Sequence, residues 1–263
     1  MKKERHNNLI KFGSLKISEL IVLNVIGEIK KVEEFLQGQA TSDISILSNH
    51  CCQLSSICNH KGQVLADFFV YKINDEFKIL IDRSLKNTFI SELKPFAQFS
   101  SIEFNTGTEK IIGSISDQKN SNGMYHFNDE YQLNIELKPG TFVLKDEITS
   151  EEWAVANKFQ GILFLDKEDI EKYRPLEINF DKLRVSFDKG CYRGQEIVAR
   201  MKYLGVNRRK FCTFITKDVF EGSPDIKVLG KIIRIDDKKI FNAIVKKDLI
   251  SEIAELHDVE EVI

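Results

Sequence analysis

The sequence predicts an α+β body followed by a small all-β module. In the first three quarters of the chain, apolar strands alternate with amphipathic helices that carry capping residues at their ends. The last quarter has short apolar runs separated by turn residues, as expected for strands at 211–216, 226–235 and 240–245. Closely spaced short strands favour a barrel or a sandwich. We therefore predict a body over residues 1–204 and a C-terminal β-barrel over residues 205–263.

The first elements of the body are a strand, a helix and a hairpin. The run 20–26 is apolar enough to form a strand buried on both faces. Segment 30–36 has apolar residues at helical spacing, and Gly38 is placed to end that helix as a left-handed cap. The hairpin is expected from strands at 52–58 and 63–71 around the turn-forming tetrad 59–62.

Two further helices are predicted in the body. Ser84 can cap a helix whose apolar residues share one face and that ends near Pro95. Thr149 and Glu152 have the spacing of a capping box, and Gly161 ends the helix that follows them. Between these two helices the chain has the pattern of short strands.

Composition and charge exclude several classes of protein. The 263 residues include 38 lysines and arginines against 40 aspartates and glutamates, so no whole-molecule attraction to nucleic acid is expected. No apolar run approaches the ~20 residues of a membrane helix, and the charged segment 1–8 leads into no signal peptide. Five cysteines at irregular spacing argue against a secreted disulfide framework. These features predict a reduced, cytoplasmic protein with no membrane partner.

Cys191 is the strongest candidate for chemistry. It lies in a turn bracketed by Gly190 and Gly194, ahead of a segment with the pattern of a helix. The glycines leave the sulfur reachable, while Lys189, Arg193 and the helix N-terminus create positive potential around it. A thiol in such a potential favours the nucleophilic thiolate. The alternative is a buried, inert side chain that packs as a small hydrophobe.

Several short motifs accompany this segment in a fixed order along the chain, from about residue 20 to 210. They are Phe35-Leu36-Gln37-Gly38-Gln39 with Thr41 and Asp43, Lys61-Gly62 with Asp67, Pro175-Leu176-Glu177 with Asn179, Phe187, and Lys189-Gly190-Cys191-Tyr192-Arg193-Gly194-Gln195-Glu196. Together they resemble the signature of the YgfZ family, relatives of the glycine-cleavage T-protein. The resemblance implies a T-protein-like folate-binding body and a C-terminal β-barrel, the outline already expected from the strand pattern.

The resemblance also implies a function. Members of the family bind tetrahydrofolate and support iron–sulfur enzymes, including the radical enzyme that methylthiolates tRNA. By resemblance Cys191 is the essential thiol, with Lys189 and Arg193 beside it. Trp153 resembles a family tryptophan that contacts folate, and its flat ring suits stacking on a pterin; the alternative is a core residue of an amphipathic helix. Leu20 stands where the family can place a second tryptophan, which removes one stacking surface.

Asp67 and the basic stretch near the C-terminal module each have two interpretations. Asp67 is an acid within an apolar run, and burial without a partner would cost free energy. By resemblance it accepts a hydrogen bond from a pterin; otherwise it faces outward from an alternating strand. The stretch 208–210 either contacts an anionic partner such as folate polyglutamate or tRNA, or is a solvated face.

Cys51, Cys52 and Cys58 form no C-x-x-C pair, so no metal site is predicted from them.

The leading hypothesis is a folate-binding accessory protein that supports iron–sulfur cluster assembly or repair. Its cofactor would be tetrahydrofolate and its partners iron–sulfur client enzymes, with an indirect link to tRNA. The first rival is a folate-dependent one-carbon transferase of T-protein type, which would depend on Asp67. The second rival is a module that binds tRNA directly, which would require the basic residues to be contiguous in space.

Overall fold

A computed structural model describes residues 9–117, 122–128, 130–144, 146–205, 208–217, 226–256 and 259–261. The strands are β1 (Gly13–Lys16), β2 (Leu20–Ile26), β3 (Cys52–Cys58), β4 (Val64–Ile73), β5 (Glu76–Asp82), β6 (Glu103–Thr106), β7 (Lys110–Ser116), β8 (Met124–Phe127), β9 (Gln132–Lys138), β10 (Arg209–Thr216), β11 (Ile226–Ile235), β12 (Lys238–Lys246) and β13 (Glu260–Glu261). The helices are α1 (Ile29–Gln39), α2 (Lys86–Phe99), α3 (Ser150–Phe159), α4 (Phe180–Leu183), α5 (Gln195–Leu204) and α6 (Ile250–Leu256). Within the described ranges, no helix is long and apolar enough to cross a membrane.

The strands form three antiparallel sheets. A five-stranded sheet has the order β3-β4-β5-β2-β6, and a four-stranded sheet has the order β1-β7-β9-β8. The third sheet, near the C-terminus, has the order β11-β12-β10-β13. The chain is therefore α+β, as the sequence predicts.

The central strands of the five-stranded sheet are buried on both faces, which explains the near-continuous apolar runs of β2 and β4. On β4, Phe68 and Val70 pack into the core that includes helices α1 and α2, whereas Phe69 and Tyr71 pack against the second sheet and α3. Alternate residues of a strand point to opposite faces, so both faces are filled by one continuous run. Asp67 shares the inter-sheet face with Phe69 and is itself buried.

Several predicted elements are confirmed in position. The strand 20–26, the hairpin around residues 59–62 and the capping box of α3 are all present. In the capping box, the Thr149 hydroxyl accepts a hydrogen bond from Glu152 N, and the Glu152 carboxylate accepts one from Thr149 N. Local sequence signals therefore set these elements.

The ends of α1 and α2 differ from the prediction. Gly38 lies inside α1, and the helix ends at the extended residue Ala40, where a lysine side chain from a distant segment caps the last carbonyls. Ser84 does not cap α2, because its hydroxyl donates to Asp82 Oδ1 at 2.6 Å. Pro95 lies within α2 rather than at its end. Burial of Leu93 and its neighbours on that helix outweighs the backbone hydrogen bond that the proline removes.

In the C-terminal region the described strands form an open sheet, so the predicted β-barrel is not confirmed. No closed barrel is found among the described strands; β11 and β13 stand at opposite edges of the third sheet. The segment after β12 also contains the helix α6, whereas the sequence pattern predicted strands only. Helix α6 packs Ile253 against one face of the sheet. It therefore buries apolar surface that closing the sheet into a barrel would otherwise have to bury.

Candidate functional site

The loop before α5 sits directly on the β3–β4 turn. Gly194 adopts a left-handed conformation with φ 84°, and a Cβ added there would lie 2.4 Å from the carbonyl oxygen of Asn59. Gly62 is also left-handed, with φ 70°, and an added Cβ would lie 3.0 Å from Ile197 Cβ. Two glycines thus allow the backbones of the turn and the helix to meet. Two motifs separated by about 130 residues form one surface.

Cys191 is exposed on this loop, whereas Cys52, Cys58 and Cys212 are buried and Cys51 is partly buried. A Cβ added at the preceding Gly190 would meet no atom within 4 Å, so the loop backbone next to Cys191 also faces open space. Burial raises the pKa of the Cys58 thiol to about 12. The structure therefore singles out Cys191 as the accessible thiol of the five.

Lys189 is a buried anchor of the loop. Its Nζ donates to the carbonyl oxygens of Gln37, Ala40 and Ser42 at 2.7, 2.7 and 2.8 Å. An ammonium has three donors, and all three are used here. Burial lowers the pKa of Lys189 to about 8. The positive charge lies at the C-terminal end of α1, where the helix dipole favours it, so the side chain fixes the loop to α1.

Arg193 fixes the other side of the loop. Its Nε donates to the carbonyl oxygen of Cys58 at 2.8 Å, and its Nη1 forms an ion pair with Glu92 Oε2 at 3.1 Å. The guanidinium lies 5.6 Å from the centre of the Phe96 ring. Lys189 and Arg193 thus hold Cys191 between α1, α2 and the β3–β4 turn, and both cations are engaged by groups other than the thiol.

An open groove of about 620 Å³ adjoins Arg193 between α1 and α2. Phe96 and Gln39 line it, and Phe99 stands at its rim with 93% of its surface exposed. Gly38 contributes to the opening because it carries no side chain. The surface beside the cysteine loop is therefore apolar and concave.

A second group of polar residues is buried around Asp67. Its Oδ2 pairs with Arg184 Nη2 at 3.1 Å, and its Oδ1 accepts the amide hydrogen of Leu165 at 3.2 Å. The Arg184 guanidinium lies 4.0 Å from the Phe180 ring centre and 5.3 Å from that of Phe164. Burial raises the pKa of Asp67 to about 6, and the adjacent guanidinium opposes that rise. The outward-facing interpretation of Asp67 is wrong.

Arg184 carries donors that the fold leaves unused. Its Nε and Nη1 are buried without a hydrogen-bond partner among the described residues, and only Nη2 bonds to Asp67 and to the carbonyl oxygen of Leu163. Above it, the Phe164 ring is 36% exposed. Buried donors of this kind call for an acceptor. Sequence reasoning missed Arg184, although an acid inside an apolar strand signals that a buried cation must exist somewhere.

Trp153 and Leu20 pack into the core between the first two sheets. The indole is 7% exposed and lies edge-on to Tyr125, with ring centres 6.3 Å apart. A Cβ added at Gly113 would lie 3.0 Å from the indole, so that backbone covers the ring. Leu20 is partly buried against the same core. The stacking role of Trp153 stays a prediction.

The predicted site residues therefore form two groups. Lys189, Cys191 and Arg193 belong to the loop on the β3–β4 turn, and Asp67 and Trp153 belong to the inter-sheet core. Thr41 joins the two groups. It follows Ala40, whose carbonyl oxygen accepts from Lys189, and its own hydroxyl donates to the Arg184 carbonyl oxygen at 2.6 Å. In the described part of the chain, no three histidine, cysteine, aspartate or glutamate side chains are close enough to hold a metal ion.

Comparison with known proteins finds relatives that are 25–30% identical to this chain. A protein of Haemophilus influenzae described as uncharacterized is 30% identical over 191 residues, covering 69% of this chain and 66% of its own length. The tRNA-modifying protein YgfZ of Aliivibrio fischeri is 25% identical over 245 residues, covering 84% of this chain and 76% of its own. The corresponding YgfZ protein of Buchnera aphidicola is 29% identical over 208 residues, covering 67% and 65%. No family model matches the chain.

A solved structure shows the same fold. The glycine cleavage system aminomethyltransferase T from Bartonella henselae superposes with a TM-score of 0.62, covering 92% of this chain and 81% of its own, at 12% identity. At that identity the likeness concerns the fold alone. In sequence, the chain spans about two thirds of the length of two of the relatives above.

Proposed function

The chain belongs to the YgfZ family, and we propose that it is a folate-binding accessory protein that supports iron–sulfur enzymes. Its clients would include the enzyme that methylthiolates tRNA, and Cys191 would be its essential thiol. The observation that carries the proposal is the exposure of Cys191 on a loop that Lys189 and Arg193 hold in place. The proposal keeps the cytoplasmic location expected from the cysteine content.

Folate would bind at the inter-sheet cluster around Asp67 and Arg184. The unpaired Nε and Nη1 of Arg184 fit an acceptor atom of a heterocycle, and the partly exposed Phe164 ring fits a planar ligand. Asp67 can accept a further hydrogen bond from a ligand amine. Trp153 lies edge-on to Tyr125 in the same inter-sheet core, so its emission would report binding there.

A fluorescence titration tests the folate part of the proposal. Tetrahydrofolate should change the emission of Trp153, the single tryptophan, saturably. Phe164→Ala should raise the dissociation constant by about two- to tenfold, because an aromatic contact is lost. Phe127→Ala removes an exposed ring from β8 and is the matched control. No saturable change, together with no heat of binding by calorimetry, refutes folate binding.

A complementation assay tests the role of Cys191. In a strain that lacks the gene, Cys191→Ser should abolish support of methylthio-tRNA formation while leaving the melting temperature and folate affinity nearly unchanged. The exposed position predicts this separation, because Cys-to-Ser at a surface loop alters little packing. Cys212→Ser, in the buried C-terminal sheet, is the control. Wild-type methylthio-tRNA from the Cys191→Ser strain would overturn the proposal.

The T-protein-like fold favours a second candidate, a folate-dependent one-carbon transferase. Fold alone does not carry chemistry, and the two candidates rank the same variants differently. A transferase would need Asp67 for turnover and tolerate loss of Cys191. An accessory protein would lose function with Cys191→Ser and only folate affinity with Asp67→Asn. Measured turnover of a methylated amine that survives Cys191→Ser would favour the transferase.

A further inference from the structure

An exposed basic surface lies where the end of α5 adjoins the end of the C-terminal sheet. Two of its cations come from α5, two stand just before and at the start of β10, and two stand at the end of β12 and just after it. The basic surface consists of Arg200, Lys202, Arg208, Arg209, Lys246 and Lys247, all of them exposed.

The strand register brings distant parts of the sequence together here. Arg209 on β10 stands directly opposite Lys246 on β12, and Lys247 N donates to the Arg208 carbonyl oxygen at 3.0 Å. Three residues lie between Leu204, the last residue of α5, and Arg208, so their Cα atoms are at most about 15 Å apart. Both α5 and β10 also contact the short turn at Pro175–Glu177. The sequence alone shows only the α5 and β10 part of this surface.

The basic surface places like charges on neighbouring strands. Like charges directly opposite each other on neighbouring strands are destabilising, and Arg209 faces Lys246 in this way. The segment 197–217 contains six cations, four of which belong to the basic surface. It contains no acid, although the overall frequency of 40 acids in 263 residues would give about three in 21 residues. The whole chain carries a net charge of −2, so the excess is local. A local excess of this kind attracts polyanions.

An exposed aromatic ring lies within the basic surface. Tyr203 on α5 is 68% exposed and packs edge-on against Phe187, with ring centres 6.2 Å apart. Lys202 Nζ lies 5.0 Å from the Phe187 ring centre and 3.6 Å from Asp181 Oδ2, which offsets part of its charge. Arg200 lies one helical turn from Tyr203, on the same side of α5. A ring flanked by cations suits a stacked base, which an acidic polypeptide does not provide.

We propose that the basic surface binds single-stranded nucleic acid. Phosphates would contact Arg208, Arg209, Lys246 and Lys247, and a base would stack on Tyr203. The inference goes beyond the proposed function, because it requires neither folate nor Cys191. It makes the C-terminal sheet a binding element in its own right.

Fluorescence anisotropy with a labelled 20-nucleotide oligouridine, measured over a range of salt concentrations, tests the inference. Combined Lys246→Gln and Lys247→Gln should weaken binding by about tenfold and reduce the salt slope by about one to two. Tyr203→Ala should weaken binding by about tenfold and leave the salt slope unchanged. Lys238→Gln with Lys239→Gln, at the other end of β12, removes the same charge and should have no effect. An oligothymidine arm distinguishes RNA from DNA as the natural source.

Three results would overturn the inference. They are no saturable binding at low salt, equal losses from the Lys238/Lys239 control, and equal affinity for polyglutamate of the same charge, which would assign the surface to an acidic polypeptide. The Cys191→Ser protein should bind the oligonucleotide as tightly as the wild type. Failure of nucleic-acid binding therefore leaves the proposed role of Cys191 untouched, and failure of complementation leaves this surface untouched.

Discussion

At the scale of single residues, Asp67 and Arg184 form a buried ion pair, with Asp67 Oδ2 3.1 Å from Arg184 Nη2. An acid in an apolar strand signals a missing partner, but the partner lies 117 positions away in a stretch with no distinctive pattern. Both side chains are almost fully buried. Burial raises the pKa of Asp67 and lowers that of Arg184, so each charge is tolerated largely because of the other.

Removal of the guanidinium should therefore be costly. Arg184→Met leaves Asp67 buried without a countercharge and is expected to destabilise the protein by about 3–5 kcal/mol at pH 7. The cost should be smaller at pH 5, because Asp67, whose pKa is about 6 in the native protein, can then take up a proton. Denaturant unfolding at both pH values measures the difference.

Two further variants control this prediction. Adding Asp67→Asn to Arg184→Met should restore much of the stability, since no buried charge is left. Arg200→Met, on the exposed surface of α5, should change stability by no more than about 0.5 kcal/mol. Equal destabilisation by Arg184→Met at pH 5 and pH 7 would contradict the assigned charge state of Asp67.

At the scale of elements, the cysteine loop is shaped by glycine on one side and by side-chain anchors on the other. Gly194 begins α5 in a left-handed conformation against the β3–β4 turn, while Gly190 stands in open space. Lys189 replaces the cap that α1 lacks. The same lysine therefore ends one helix and fixes the approach to the next.

The two loop glycines should respond differently to the same substitution. Gly194→Ala is expected to lower the free energy of unfolding by about 2 kcal/mol or more, because φ is positive there and the new Cβ would clash with the Asn59 carbonyl oxygen. Gly190→Ala should change stability by no more than about 0.5 kcal/mol. Thermal melts of the two variants measure the change in stability. The rate of Cys191 alkylation should change only in Gly194→Ala, because only that substitution displaces the loop. Similar melting temperatures for both would refute the close contact.

Elements with strong local signals were predictable, and elements set by distant contacts were not. The capping box of α3 and the Asn59–Gly62 turn depend on neighbouring residues and are confirmed. The end of α1 depends on Lys189, about 150 positions away, so a local rule misplaced it at Gly38. The exposure of Cys191 followed from its glycines, but the partners of Lys189 and Arg193 could not be read from spacing.

At the scale of the whole molecule, one face of the C-terminal sheet packs against the body, while α6 covers the other. Phe211, Leu229 and Ile244 pack in the same cluster as helices α1 and α2, although the sequence predicted a separate barrel after residue 204. A sheet that can bury one face against a body does not need to close on itself. Pattern alone shows that the strands are short and apolar and leaves open what they bury against.

A buried lysine links the two parts. Lys158 on α3 donates to Asn242 Oδ1 on β12 at 2.8 Å, and its carbonyl oxygen accepts from the Thr213 hydroxyl at 3.0 Å. Asn242 in turn donates to Thr213 Oγ1 at 2.9 Å. Burial lowers the pKa of Lys158 to about 8 from an ordinary value of 10.5. The junction therefore contains an amine that folding makes easier to deprotonate.

This shift predicts a pH dependence of the folded state. Between pH 8 and 10.5 the unfolded chain holds a proton on Lys158 that the folded protein has released, so the free energy of unfolding rises with pH in that window. Lys158→Met has no such proton, and the wild type should gain about 3 kcal/mol relative to it across the window. Lys189 shifts in the same direction, so the difference between the two proteins, and not the wild-type slope, isolates Lys158. Denaturant unfolding followed by Trp153 emission measures it, with exposed Lys217→Met as the control. A stability difference between wild type and Lys158→Met that stays constant from pH 7 to 10.5 would show that Lys158 is not buried at this junction in solution.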